Sequence, residues 1–249
     1  MSTCRVPGCG KQTDGYSVYC SQHRRRQRRH GSAQQATISV TRLKPHRDAI
    51  KRWLDGRPEQ NGWEPLRTLF RHLVEHVQTE LDLARSGASP RYLRQAHEDV
   101  LKVAGEGPEV VDQAILTVTA MYRLQAEDRL AFVSDDGFRV QLARRFRAHT
   151  DLNVAVSWSE ADGRNKRVYR DTSSRHLVIL GQLLAKALGG LSLAVIEAMD
   201  QEGRREAEER RQAFAAVMDS PPLQSTPASP AGASGGHSTS GKDDDATSR

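Results

Sequence analysis

Cysteine is scarce in this 249-residue chain: there are three, at positions 4, 9 and 20, and none beyond. Three cannot pair off completely, and residues 1–30 hold no apolar run of the kind a secretory signal needs, so a disulfide framework is excluded. Aromatic residues are few, at 5%, while 27% of the chain is charged, the balance of a water-soluble globular protein. There is no Walker phosphate loop and no dinucleotide fingerprint, which removes the most sequence-legible nucleotide enzymes. Cysteines kept as thiolates fit a reducing compartment, and the expected location is cytoplasmic.

What is present is concentrated at the start. Cys4, Cys9, Cys20 and His23 read C-x4-C-x10-C-x2-H. Three thiolates and an imidazole make a closed tetrahedral zinc set with no open position for chemistry. Around them only Val6, Tyr16, Val18 and Tyr19 are sizeable apolar groups. So small a segment cannot bury a core of its own and needs the metal to fold, a contribution on the order of 10–16 kcal/mol. Gly8 stands beside the second cysteine, and Gly15 supplies a turn between the two half-sites.

Residues 4–31 resemble a short zinc module found at the start of phage and mobile-element proteins, including some HNH homing endonucleases. The resemblance lies in Cys4-Arg5-Val6-Pro7-Gly8-Cys9, in Cys20-Ser21-Gln22-His23, and in the basic run that ends at Gly31. It implies that Cys4, Cys9, Cys20 and His23 are the zinc ligands. It also implies that the module binds nucleic acid or supports a neighbouring domain that does. It covers about 28 residues and does not extend to the rest of the chain.

Charge placement agrees. Residues 1–31 carry Arg5, Lys11, Arg24, Arg25, Arg26, Arg28 and Arg29 against Asp14 alone, a net of +6. The whole chain has a net charge of +6, so residues 32–249 sum to zero. Arginine forks match phosphate oxygens in pairs, and like charges four apart on a helix repel until a polyanion screens them.

Beyond the module, residues 32–43 read as a polar linker and 44–219 as a helical body. Helices are expected over 45–55, 63–85, 90–104 and 109–126, each with apolar residues at three-and-four spacing. After Asp135-Asp136-Gly137 the pattern changes to a short basic helix over 138–148. In that helix Phe138, Leu142 and Phe146 point one way, and Arg139, Arg144, Arg145 and Arg147 point out. Alternation through Leu152, Val154, Val156 and Trp158 then predicts a strand, with a return strand near 167–171 and a β-hairpin spanning about 152–171. Helix, basic helix and hairpin is the order of a winged helix-turn-helix, with Arg144, Arg145, Arg147, Arg164, Lys166 and Arg167 as its DNA contacts. The alternative is an α+β packing unit whose arginines are its wet face.

Residues 173–198 are rich in leucine. Gln182, Lys186 and Gly189-Gly190 favour buried helices, separated or kinked at the glycines, over a membrane span. A charged helix follows over 199–218, where Arg204–Glu208, Arg205–Glu209 and Glu206–Arg210 stand four apart. Residues 220–249 are Ser, Pro, Thr, Gly and Ala with three aspartates, the composition of a disordered tail.

Two constellations invite an enzymatic reading. His149, Asn165 and His176 bracket the hairpin in the manner of an HNH nuclease, but the group that normally accompanies the base histidine is missing. His72, Glu75 and His76 resemble the inverted zinc-peptidase order without a third ligand. No catalytic residue is assigned. The fold class is mainly α: a small zinc module, a multi-helix body with one hairpin and a disordered tail. The expected function is zinc-dependent nucleic-acid binding, DNA ahead of RNA, by an accessory or regulatory protein of a phage or mobile element. The contacts are Arg24, Arg25, Arg26, Arg28, Arg29, Arg144, Arg145 and Arg147. The alternatives are a protein–protein adaptor in which zinc is a staple and the body docks a partner, and a divergent HNH nuclease. Neither a membrane nor a small-molecule substrate is expected.

Overall fold

A computed structural model describes residues 2–57, 62–85, 87, 89–159, 163–169 and 172–218. The tail reading for 220–249 falls outside them. The described chain is mainly helical. The helices are α1 (Ser21–His30), α2 (Val40–Asp55), α3 (Trp63–Arg85), α4 (Arg91–Gly105), α5 (Pro108–Glu127), α6 (Asp135–Arg147) and α7 (Ser174–Met218). β1 (Val154–Ser159) and β2 (Arg164–Tyr169) pair antiparallel, with Val154 opposite Tyr169 and Ser159 opposite Arg164. Contacts divide the chain into two compact units, Met1–Arg205 and Glu206–Arg249.

The core of the first unit forms around α5. Every residue from Ala114 to Met121 is buried, which requires neighbours on all sides. The surrounding helices offer stripes instead: Leu66, Phe70, Leu73, Val77 and Leu81 on α3, and Ala96, Val100 and Val103 on α4. Leu177, Leu180, Leu184 and Leu188 of α7 join the same cluster. α7 is long and apolar enough to span a membrane, and these four leucines face the bundle.

Several boundaries differ from the sequence reading. The first part of the stretch expected as a linker is a strap anchored by three buried side chains. Ala33, Gln35 and Ile38 are inaccessible, and α2 starts at Val40 behind a Ser39 cap that accepts from the Arg42 N–H at 3.1 Å. Gln35 is buried because its amide is satisfied three times. It donates to the carbonyls of Ala36 and Ala131, each at 2.9 Å, and accepts from the Val133 N–H at 3.0 Å. Polarity read as solvent contact was in fact an internal hydrogen-bond set.

α6 starts at Asp135 rather than at 138, so Asp135-Asp136-Gly137 opens it. The acids stand at the positive end of the helix, and Ser134 caps the Gly137 N–H at 3.0 Å. Glycine sits at 137 because a Cβ there would lie 2.7 Å from Gln35 Oε1. Gly189-Gly190 does not separate two helices either, since α7 is continuous. A Cβ at Gly189 would fall 2.5 Å from the Tyr122 hydroxyl, and one at Gly181 would fall 2.3 Å from the Arg139 carbonyl oxygen. These glycines are notches for close approach, with the helix hydrogen bonds left intact.

The winged-helix expectation finds no support. A recognition helix must present side chains outward, whereas α6 buries Phe138, Val140, Gln141, Leu142, Ala143, Phe146 and Arg147. In the second unit, Glu206–Met218 is helical, with Glu206, Glu208 to Ala216 and Met218 exposed. There Gln212 donates to Glu208 at 3.1 Å, and Arg210 Nε donates to the Glu206 carbonyl at 3.1 Å rather than to its carboxylate.

Candidate metal centre and adjoining basic surface

The first twenty residues order themselves through turns and backbone hydrogen bonds. The Cys4 N–H donates to the Lys11 carbonyl at 2.8 Å, the Cys9 N–H to Val6 at 3.1 Å, and the Arg5 N–H to Val18 at 2.9 Å. Gly8 and Gly10, on either side of Cys9, adopt left-handed φ of 73° and 60°, which other residues tolerate poorly. They let the chain reverse so that Cys9 faces back toward Cys20. Cys20 is the N-cap residue of α1 and His23 lies in its first turn. A helical offset of three puts both on one side of the helix end.

The four donor atoms all lie within 4.8 Å of one another. Cys9 Sγ and Cys20 Sγ are 3.8 Å apart, and His23 Nδ1 is 3.4 Å from the sulfurs of both Cys4 and Cys20. Tetrahedral bonds of zinc length place two sulfurs about 3.8 Å apart and a sulfur and nitrogen about 3.5 Å apart. The donors therefore fit a four-coordinate ion. They do not fit a disulfide, whose sulfurs bond at about 2.05 Å. Tyr16 and Val18 point fully or largely to solvent and Val6 and Tyr19 are only half-buried, so the segment has little apolar burial to hold it.

The thiols respond to this crowding. Burial raises Cys4, but backbone groups at Cys20 and Val6 and the side chains of His23 and Cys9 outweigh it and bring it to about 6. A backbone hydrogen bond at Lys11 lowers Cys9, yet burial and the sulfurs of Cys20 and Cys4 keep it above the usual thiol value. A dication among them would hold all three as thiolates. Three thiolates, a neutral imidazole and a dication sum to −1, and this charge stands at the positive end of α1, which has no acid of its own there. Arg28, Arg29 and His30 occupy the opposite, negative end.

α1 has no buried residue. Its C-terminus is nevertheless fixed to the body. Gly31, in a left-handed φ of 79°, ends the helix with Val140 of α6 so close that a Cβ would lie 2.9 Å from its methyl carbon. The Ile38 N–H donates to Gln141 Oε1 at 3.2 Å, which turns the Gln141 NH2 toward His30 Nδ1 at 3.1 Å. His30 Nδ1 is thus an acceptor, and Nε2–H is left to donate to Thr37 Oγ1 at 3.2 Å. The pairing needs a neutral ring. Burial pushes His30 down to about 4, with the charges of Arg144, Arg26, Arg29 and Arg145 acting in the same direction.

The expected contact arginines fall into three groups. Arg24, Arg25 and Arg28 are exposed on α1. Arg26, Arg29, Arg144 and Arg145 are half-buried, and Arg144 Nη1 donates to the Arg29 carbonyl at 3.1 Å. Arg147 does not point outward: only 4% exposed, its Nε stands 2.8 Å from Asp99, while its Nη groups donate to Thr172 at 2.6 Å and Leu152 at 2.9 Å. A guanidinium spent on buried partners cannot also reach a phosphate, so it leaves the contact set.

The HNH candidates are also placed. His176 Nε2 lies 2.8 Å from the buried Asp99 carboxylate, and His149 Nε2 lies 2.8 Å from Thr117 Oγ1. The side chain of Asn165 lies outside the described residues. His72 and His76 are exposed on α3, and among the described residues the four N-terminal donors alone form a metal-competent cluster.

Sequence reading missed the His30–Gln141–Ile38 network and Arg47. Arg47 adjoins His149, whose ring burial pushes to about 4 with Arg47 and Arg145 adding to the effect. Nothing local marks a glutamine at 141 as the partner of a histidine at 30. Comparison with protein-family models, with curated proteins and with solved structures finds no match, so the site is read from its own residues.

Proposed function

We propose that this protein binds nucleic acid, DNA ahead of RNA, through a zinc-ordered basic helix, in an accessory or regulatory capacity without chemistry of its own. One observation carries the reading: His23, a donor of the metal cluster, lies in the first turn of the helix on which Arg24, Arg25 and Arg28 are exposed. Zinc is the metal that suits a closed set of three thiolates and an imidazole. It would order residues 4–23 and so give α1 a fixed start. The affiliation with phage or mobile-element proteins rests on the C-x4-C-x10-C-x2-H resemblance alone.

A titration of zinc-loaded protein against labelled duplex DNA and single-stranded RNA, at two salt concentrations and with or without a chelator, tests this. Five arginine contacts on α1 give a log–log salt slope of about −4 to −5. Binding that ignores both salt and chelator would exclude the reading. Absence of binding to either nucleic acid would favour the adaptor, in which the metal only fastens the N-terminus.

A further inference from the structure

We infer that the cavity between α4, the end of α6 and the start of α7 is a binding site for a small organic phosphate. This goes beyond the nucleic-acid reading and does not depend on it, and no reaction is assigned to the site. The cavity has a volume of about 800 Å³, within the range of pockets that hold small ligands.

α4 supplies one wall. Arg91, Gln95, Asp99 and Lys102 recur at three-and-four spacing, so a single face of the helix lines the cavity. The Arg91 guanidinium, the Tyr92 hydroxyl and the Gln95 carboxamide also line it and make no hydrogen bond or ion pair among the described residues. Arg175 lies over the Tyr92 ring, 4.1 Å from its centroid, and brings further positive charge to that side.

The base of the cavity is ionic. Asp99, Arg147 and His176 are each at most 5% exposed. Arg147 Nε and His176 Nε2 both lie 2.8 Å from Asp99 Oδ2. Two partners thus hold the Asp99 charge, which does not meet an incoming anion uncompensated. The approach through Nε2 turns the other ring nitrogen of His176 away from Asp99, and this Nδ1 has no partner among the described residues. In so buried a side chain on a cavity wall, such a nitrogen is a hydrogen-bonding atom kept for a ligand.

The start of α7 forms the remaining wall. Ser173 accepts from the His176 N–H through its hydroxyl and from the Leu177 N–H through its carbonyl, both at 3.2 Å. The N–H groups of Ser174 and Arg175 have no acceptor within the helix. α7 has 45 residues and no acid in its first turn, so its positive end favours an anion there. Donors approaching from several sides suit the tetrahedral oxygens of a phosphate better than a planar carboxylate. Lys102 is engaged by Glu106 at 3.3 Å and Asp151 at 3.6 Å, and Glu98 faces Arg94 at 4.0 Å, which leaves Arg91 as the lining cation open to the ligand. The volume exceeds that of inorganic phosphate, and Leu152 offers an apolar contact to the organic part.

The test is a phosphorus NMR titration of the full-length, zinc-loaded protein with inorganic phosphate and with phenyl phosphate. Both are expected to bind saturably in the millimolar range, phenyl phosphate the more tightly, and the His176 ring protons should shift on saturation. R91Q, at an exposed position, should keep the wild-type melting temperature and weaken both probes about tenfold. R24Q/R28Q removes the same kind of charge from α1 and should leave both affinities unchanged, whatever it does to nucleic-acid binding. Absence of saturable binding, or an R91Q protein that binds like wild type, would overturn the site. Equal weakening by R24Q/R28Q would reduce it to unspecific charge attraction and overturn it as well. Exclusion of phenyl phosphate while inorganic phosphate binds would overturn the organic assignment. Displacement of the probes by a DNA duplex would give the cavity to nucleic-acid phosphates and overturn the small-molecule assignment.

Discussion

The N-terminal module and the helical body are ordered by opposite means. Between residues 2 and 23 only Cys4, Thr13 and Cys20 are buried; Tyr16 and Val18 face water, and Val6 and Tyr19 are half-buried. The body surrounds α5 with leucine, valine and phenylalanine from five other helices and closes a continuous apolar core. One region is held by four donor atoms at a point, the other by area. The difference teaches where each is vulnerable: the module to loss of a single ligand, the body to loss of volume or to crowding at a helix crossing.

Removing one ligand is the most severe way to probe the comparison. Cys20→Ala is expected to abolish metal binding, worth on the order of 10–16 kcal/mol to such a module, and to open the arginine run of α1 to trypsin. The body should stay folded, with its melting temperature reduced by a few degrees as the His30–Gln141 contact is lost. Metal content, limited proteolysis and a circular-dichroism melt read all three. Collapse of the whole chain would mean that the two regions fold as one.

The converse experiment strikes the body. Phe146→Ala empties a fully buried ring that packs against Phe70, their centroids 6.3 Å apart, and should cost about 3–5 kcal/mol in urea denaturation. Metal stoichiometry under native conditions should not change. A smaller loss, about 1–3 kcal/mol, is expected for Gly181→Ala, because a methyl group must enter where the Arg139 carbonyl stands 2.3 Å away. If Gly181→Ala is neutral, α6 and α7 do not cross as closely as described.

The gentlest probe is pH. His149 and His30 have folded values near 4 against an ordinary value of 6.5. Between those limits the unfolded chain binds protons that the folded chain does not, so stability is complete above pH 6.5 and declines as pH falls toward 4. Each unit of difference corresponds to about 1.4 kcal/mol. Denaturant midpoints at pH 7, 5.5 and 4.5 should fall in that order, and His149→Gln should flatten the trend. A midpoint that rises on acidification would contradict the assignment of both rings as neutral.

Much of the molecule was legible beforehand. The ligands of the module are visible because metal sites require particular atoms at short sequence spacing, and Cys4, Cys9, Cys20 and His23 do converge. α3, α4 and α5 follow from apolar periodicity, which reports one-sided burial directly. Less legible were residues whose chemistry points one way and whose partners lie elsewhere. Gln35 is a polar residue in a polar stretch until its carbonyl and N–H partners at 131 and 133 surround it. Arg147 has the same side chain as its exposed neighbours, and only Asp99 and Thr172 explain its burial.

The sequence by itself determined the metal donors, the position of the basic run behind them and the helical character of the body, since all three depend on neighbours within a few turns of chain. Only the tertiary structure decided that 32–39 is a strap rather than a linker, that Gly181 and Gly189 are notches, and that the arginines of α1 stand beside those of α6. These depend on which surfaces meet across a hundred residues, and contacts at that separation leave no periodic trace in a single chain.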